Sequence, residues 1–142
     1  MNKVYPKWSE LPNLDLYLDQ VLLYVNQLDS SSIVDDDKGL TSAMINNYVK
    51  NGHLDKPIKK KYNRKQLARL IVITCLKNVF SIQEISKTIN SLTSEGCSEE
   101  MYDNFVMCMN EEKRDGLAEV IVAACDTVRL YKRTHDLVEK LK

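Results

Sequence analysis

Ser42-Ala43-Met44-Ile45-Asn46-Asn47-Tyr48-Val49-Lys50-Asn51-Gly52 is the stretch on which the fold turns. Ile45, Tyr48 and Val49 fall three and four apart, the spacing that collects side chains on one face of a helix. Asn46, Asn47 and Lys50 then face outward. Thr41 or Ser42 can accept the free amides of a first turn, and Gly52 supplies the left-handed residue at which such a helix stops. The expectation is a helix from Ser42 to Asn51 with two carboxamides side by side in solvent.

Downstream, His53 to Tyr62 reads as a short extended ribbon. Pro57 has no amide donor and restricts Lys56, and Lys59, Lys60 and Lys61 crowd the same stretch. Asn63 and Gln66 form a capping box for a helix that buries Leu67, Leu70, Ile71, Thr74 and Cys75 and runs to Val79. Ser81 and Glu84 form a second box, opening a helix at Ile82.

Upstream, Asn13 can cap a helix whose apolar residues Leu14, Leu18, Val21, Leu22, Val25 and Leu28 keep the same spacing. Met1 to Pro12 reads as an arm docked through Tyr5 and Trp8. Asp29 to Gly39 is polar and acidic and reads as a surface loop, and its Asp35-Asp36-Asp37 run lacks the ligand spacing of a calcium loop. Toward the C-terminus, Ser98 is expected to cap a short helix with Met101, Phe105 and Met109 on one side. A last helix aligns Leu117, Ile121, Ala124, Val128, Tyr131, His135 and Val138 at alternating steps of four and three. That seam wants a partner, either inside the chain or in a second copy as a homodimer.

The whole chain has 142 residues, 44% hydrophobic and 28% charged, with only four Gly and three Pro to break helices. An all-α protein with one core is expected: residues 1–39 an arm and first helix, 40–92 a central unit, 93–142 a helical tail. No run approaches the roughly eighteen apolar residues of a bilayer span, and Met1 to Trp8 lacks a secretory core, so a cytoplasmic protein without a membrane partner is expected. Cys75, Cys97, Cys108 and Cys125 stand far apart with no CxxC pair and read as reduced thiols. Cys97, Cys108 and Cys125 are too irregularly spaced to read as a metal site. No nucleophile with a spaced His and acid, phosphate-cradling Gly loop or apolar carboxylate pair stands out, so neither an enzyme nor a cofactor is expected. His53 reads as a surface or phosphate-contacting residue, and His135 as partly buried packing.

Net charge is zero, yet it is unevenly laid out. Met44 to Arg69 carries eight cations, Lys50, Lys56, Lys59, Lys60, Lys61, Arg64, Lys65 and Arg69, against Asp55 alone, a local excess of +7. Such a block can neutralise phosphates whatever the isoelectric point of the whole. From charge alone a solvated basic face is an equal alternative.

The order of helix, loop, helix ending in Gly, basic ribbon and two capped helices resembles the DNA-binding domain of MerR-type regulators, a winged helix-turn-helix. That family's second helix reads Thr-Ile-Arg-Tyr-Tyr-Glu before a Gly-Leu pair, and Ile45, Tyr48, Gly52 and Leu54 agree with it. Tyr62, Asn63, Leu67, Arg69 and Leu70 match the segment after the wing, and Phe80-Ser81-Ile82-Gln83-Glu84-Ile85 matches the Phe-Ser-Leu-x-Glu-Ile segment. Departures fall on outward positions: Asn46 and Asn47 replace the family's Arg and first Tyr, and Ile58-Lys59-Lys60-Lys61 replaces a glycine-tipped wing. The chain is also similar, over most of its length, to uncharacterised small bacterial proteins carrying Trp-x-x-Leu-Pro and Met-Ile-Asn-Asn-Tyr-Val-Lys, here Trp8, Leu11, Pro12 and Met44 to Lys50.

The MerR resemblance implies a sequence-specific double-stranded DNA-binding regulator of transcription. It brings Ser42, Asn46, Asn47, Lys50, Lys59, Lys60, Lys61 and Arg64 to the duplex, with the two Asn offered to adenine edges and the cations to phosphates. About five phosphate contacts would give a logarithmic salt slope near −4.5. The rival reading is a protein-interaction module on the same frame, its basic face meeting an acidic partner.

Overall fold

The computed structural model describes residues 5–28, 39–94 and 96–141. Among them are six α-helices: α1 (Leu18–Leu28), α2 (Ser42–Lys50), α3 (Arg64–Leu76), α4 (Ile82–Leu92), α5 (Ser98–Met109) and α6 (Glu119–Glu139). Two short antiparallel strands, β1 (Leu16–Tyr17) and β2 (Lys61–Tyr62), join Leu16 to Tyr62 and Tyr17 to Lys61. A largely helical chain was expected, and the small sheet qualifies the all-α reading.

α3 is the central element. From Gln66 to Leu76 every residue except Arg69 is buried, and α1, α4, α5 and α6 all pack on it. A helix so enclosed needs apolar residues all round, which Leu67-Ala68 and Leu70-Ile71-Val72-Ile73 provide; each large aliphatic chain contributes about 1.5–3 kcal/mol. Its start is fixed locally. Asn63 Oδ1 accepts from the Gln66 amide at 2.9 Å while Gln66 Oε1 accepts from the Asn63 amide at 2.7 Å. The box at Ser81 and Glu84 opens α4 in the same reciprocal way. α3 ends at Leu76, three residues before the expected Val79, in a turn where the Val79 and Phe80 amides both bond the Leu76 carbonyl.

Three expectations need correction. The first helix begins at Leu18, not at Asn13, because Leu16 and Tyr17 are drawn into the sheet with β2. Leu14, assigned to the buried face, is 74% exposed. Ser98 is the first residue of α5 and not its cap; the cap position is Cys97, with no side-chain bond to the helix. The third concerns the C-terminal seam. Leu117 precedes α6, and Ile121, Cys125 and Val128 are the buried positions, packed with α5. Beyond them the helix presents Leu130, Leu137, Val138 and, just past its end, Leu141 to solvent. Tyr131 and His135 stack edge-on with ring centroids 4.9 Å apart. The in-chain partner therefore accounts for only the first half of α6.

The N-terminal arm is a strap over α5. Asn110 brackets Tyr5, its Oδ1 accepting from the Tyr5 amide at 2.8 Å and its Nδ2 donating to the Tyr5 carbonyl at 3.0 Å. The Trp8 amide donates to Asp103 Oδ1 at 2.7 Å, and the Tyr102 hydroxyl donates to the Pro6 carbonyl at 2.8 Å. The core thus runs unbroken from Tyr5 to Val128. Most of the acidic segment expected as a loop, residues 29–38 with the Asp triplet, lies outside the described residues. Among the described residues no helix is long and apolar enough to cross a membrane.

Candidate nucleic-acid interface

α2 is held by its two ends. At the first, Asn26 of α1 grips Leu40: its Nδ2 donates to the Leu40 carbonyl at 2.9 Å and its Oδ1 accepts from the Leu40 amide at 2.8 Å. Gly39 has φ +66°, and a Cβ built there would stand 2.5 Å from Asn26 Oδ1, so only glycine fits. Thr41 then caps the helix, its hydroxyl accepting from the Met44 amide at 3.2 Å. At the other end Gly52 has φ +80°. Its amide bonds the Val49 carbonyl and the His53 amide bonds the Tyr48 carbonyl, the two bonds of a Schellman stop. Between these anchors Ile45 and Tyr48 are buried, and burial raises the Tyr48 hydroxyl pKa.

The opposite face carries the expected residues. Ser42, Asn46, Asn47 and Lys50 are all exposed. Asn47 Oδ1 accepts from Asn51 Nδ2 at 3.2 Å, which orients the Asn47 carboxamide.

The basic ribbon closes as a two-residue hairpin. Ile58 and Lys61 exchange both backbone bonds, at 2.9 and 3.0 Å. The tip residues Lys59 and Lys60 have φ 52° and 69°. Positive φ at both central positions is the signature of the type I′ turn, which Asn-Gly occupies without strain. Two lysines there cost about 1–2 kcal/mol each, and strain of this kind persists where the surrounding structure, here the Ile58–Lys61 backbone pair, over-determines it.

The cations of the block divide sharply. Both arginines are turned inward. Arg64 Nη2 donates to the Leu11 carbonyl at 3.3 Å, and its buried Nε has no partner. Arg69 Nε donates to the His53 carbonyl at 2.6 Å and its Nη2 to Ser86 Oγ at 2.9 Å, so it ties the turn after α2 to α4. Burial lowers the Arg69 pKa, with Asp55 opposing the shift. Gln66 adds a second tie, its Nε2 donating to the carbonyls of Asp55 and Lys56. Lys61 lies over the Tyr17 ring at 5.1 Å from its centroid. By contrast Lys50, Lys56, Lys59, Lys60 and Lys65 are exposed and form no salt bridge with described residues.

The structure therefore keeps Ser42, Asn46, Asn47 and Lys50 on one helix face and Lys59 and Lys60 on one hairpin tip, with α1 touching both α2 and β2. Arg64 is not with them, since its guanidinium serves the strap. Lys56 and Lys65, exposed and without a salt bridge among the described residues, are cations that the MerR resemblance did not single out; the block of charge was their only signal. The cysteines are elsewhere. Cys97 is exposed at the start of α5, while Cys75, Cys108 and Cys125 are buried. Burial, then the neighbouring Cys108, pushes the Cys125 thiol well above its usual range.

A family model described as a domain of unknown function, DUF1836, matches residues 6–105, from the strap into α5. No curated protein and no solved structure matches the chain.

Proposed function

Since the chain belongs to the DUF1836 family, a domain of unknown function, its activity has to be argued from its own residues, and we propose that it is a sequence-specific double-stranded DNA-binding regulator of transcription, built as a MerR-like winged helix-turn-helix. α1 and α2 form the helix-turn-helix pair, α2 being the reading helix, and the Ile58–Lys61 hairpin is the wing.

One observation carries the reading: a rigidly capped helix shows two adjacent carboxamides to solvent, and the hairpin after it holds two lysines in a left-handed turn with no salt bridge among the described residues. A carboxamide pairs its carbonyl with adenine N6 and its NH2 with N7 in the major groove. Asn47 comes with that amide already oriented by Asn51. Lys59 and Lys60 fit phosphates, as does Lys50 at the end of α2, where a cation also suits the helix dipole. The inward arginines remain scaffold: Arg69 fixes the turn that aims α2.

With Arg64 spent on Leu11 and Lys61 held over Tyr17, about three phosphate contacts remain, and the expected salt slope eases to about −2.7. Fluorescence anisotropy on a mixed-sequence duplex at several salt concentrations measures it. A slope near zero, or no binding at low salt, removes the proposal. Three contacts bind weakly, so a homodimer through the exposed half of α6 on a two-fold site belongs to this reading.

A further inference from the structure

Behind the turn that ends α2 lies a cavity of about 190 Å³. Its walls come from the strap, the segment between α2 and β2, α3, α4 and the first turns of α5. Trp8, Ala68, Ile89 and Met101 give it an apolar side, and Asp55 and Lys65 give it charge. Both charged residues are exposed, and neither makes a salt bridge with the other or with any other described residue. Arg69, the further cation of the wall, already donates to His53 and Ser86.

We propose that this cavity binds a free α-amino acid with an aliphatic side chain, the Asp55 carboxylate receiving its ammonium group and the Lys65 ammonium its carboxylate. Size favours this. A molecule the size of benzene fits about 150 Å³, so the space here is large enough for a branched aliphatic side chain against Trp8, Ala68, Ile89 and Met101. Charge favours it as well. Asp55 and Lys65 line the same space and suit the two ends of a zwitterion, whereas a simple anion would meet Asp55 and a simple cation would meet Lys65 and Arg69. Gly52 and Leu54 belong to the same wall, so an occupant bears on the turn that sets the direction of α2. That last consequence rests on the DNA reading; the binding itself does not.

Trp8 is the only tryptophan of the chain, so its fluorescence reports on the cavity directly. The full chain, without DNA, is titrated with leucine, with N-acetylleucine and with leucinamide. Leucine gives a saturable change, and each singly charged analogue binds at least about tenfold more weakly. Asp55→Asn and Lys65→Gln each weaken leucine binding by about fivefold or more, with the melting temperature unchanged. Equal responses to all three compounds, no response at millimolar leucine, or variants that bind like the parent overturn the assignment. Because no DNA is present, leucine binding by a chain that ignores duplexes keeps the cavity assignment and discards the DNA reading.

Discussion

The segment from α2 to the start of α3 and the pair formed by α5 and α6 differ in their balance of charge. On the helical pair, two arginines converge on one acid, while Lys113, Lys132, Arg133 and Lys140 are exposed and make no salt bridge with described residues. Arg114 grips Asp126 with two bonds of 2.8 and 2.6 Å, Arg129 reaches Asp126 at 2.8 Å and the Cys108 carbonyl at 2.9 Å, and Lys7 of the strap meets Glu112 at 3.4 Å. In the other segment, five lysines stand exposed without a salt bridge among the described residues. Exposed pairs contribute little to stability, so the contrast does not reflect a need to hold the fold together. What separates the regions is balance: Met44 to Arg69 has eight cations to one acid, whereas Leu70 to Lys142 has nine cations to twelve acids, so the positive excess lies in the first.

The sharpest way to break that comparison is to reverse charge in each region. Lys59→Glu with Lys60→Glu is expected to lower affinity for duplex DNA on the order of a hundredfold, while Arg114→Glu leaves it unchanged in the same anisotropy titration. Next comes the division between reading and positioning. Asn47→Ala should cost about 1–3 kcal/mol of discrimination between a selected site and random duplex. Lys60→Ala should weaken both by the same factor, and equal loss on every duplex for Asn47→Ala would remove α2 as the reading helix.

A smaller effect, with opposite signs in two assays, sits at the hairpin tip. Lys59→Asn with Lys60→Gly relieves the left-handed backbone and is expected to raise stability in urea by about 1–2 kcal/mol. The same change removes two cations and weakens DNA binding. A variant that gains stability and keeps full affinity would show the tip to be mere surface. Smallest of all is the acid dependence of the paired region. Hydrogen bonds from Arg114, and then Arg129, hold the Asp126 carboxyl at about 2, below its ordinary 3.8. A carboxylate lowered on folding adds stability above its unfolded pKa and loses it as pH falls through the folded one. The melting temperature of the parent should therefore exceed that of Asp126→Asn near pH 5, and the two should converge toward pH 2.

Part of the local chemistry was legible in the sequence to the residue, though Asn13 and Ser98 failed as caps. Asn63 with Gln66 and Ser81 with Glu84 are caps whose partners lie three positions away, and Gly52 stops α2 as its lack of a Cβ allows. The outward direction of Asn46, Asn47 and Lys50 follows from helical spacing and was readable for the same reason. What escaped depends on distant contacts. Nothing near Asn13 announces that Leu16 and Tyr17 will pair with Lys61 and Tyr62. An arginine and a lysine look alike in a run of charge, yet Arg64 and Arg69 turn inward because their planar donors reach carbonyls at Leu11 and His53. The cavity beside Trp8 draws on segments spread from the strap to α5, so only the fold assembles it.

Adding an unlabelled duplex to ¹⁵N-labelled protein and following the amide resonances tests the central claim most directly. Shifts concentrated on Ser42–Lys50 and Ile58–Lys61, with those of α5 unmoved, are the predicted result. Shifts confined to other segments, or a spectrum that DNA leaves unchanged at low salt, would contradict it.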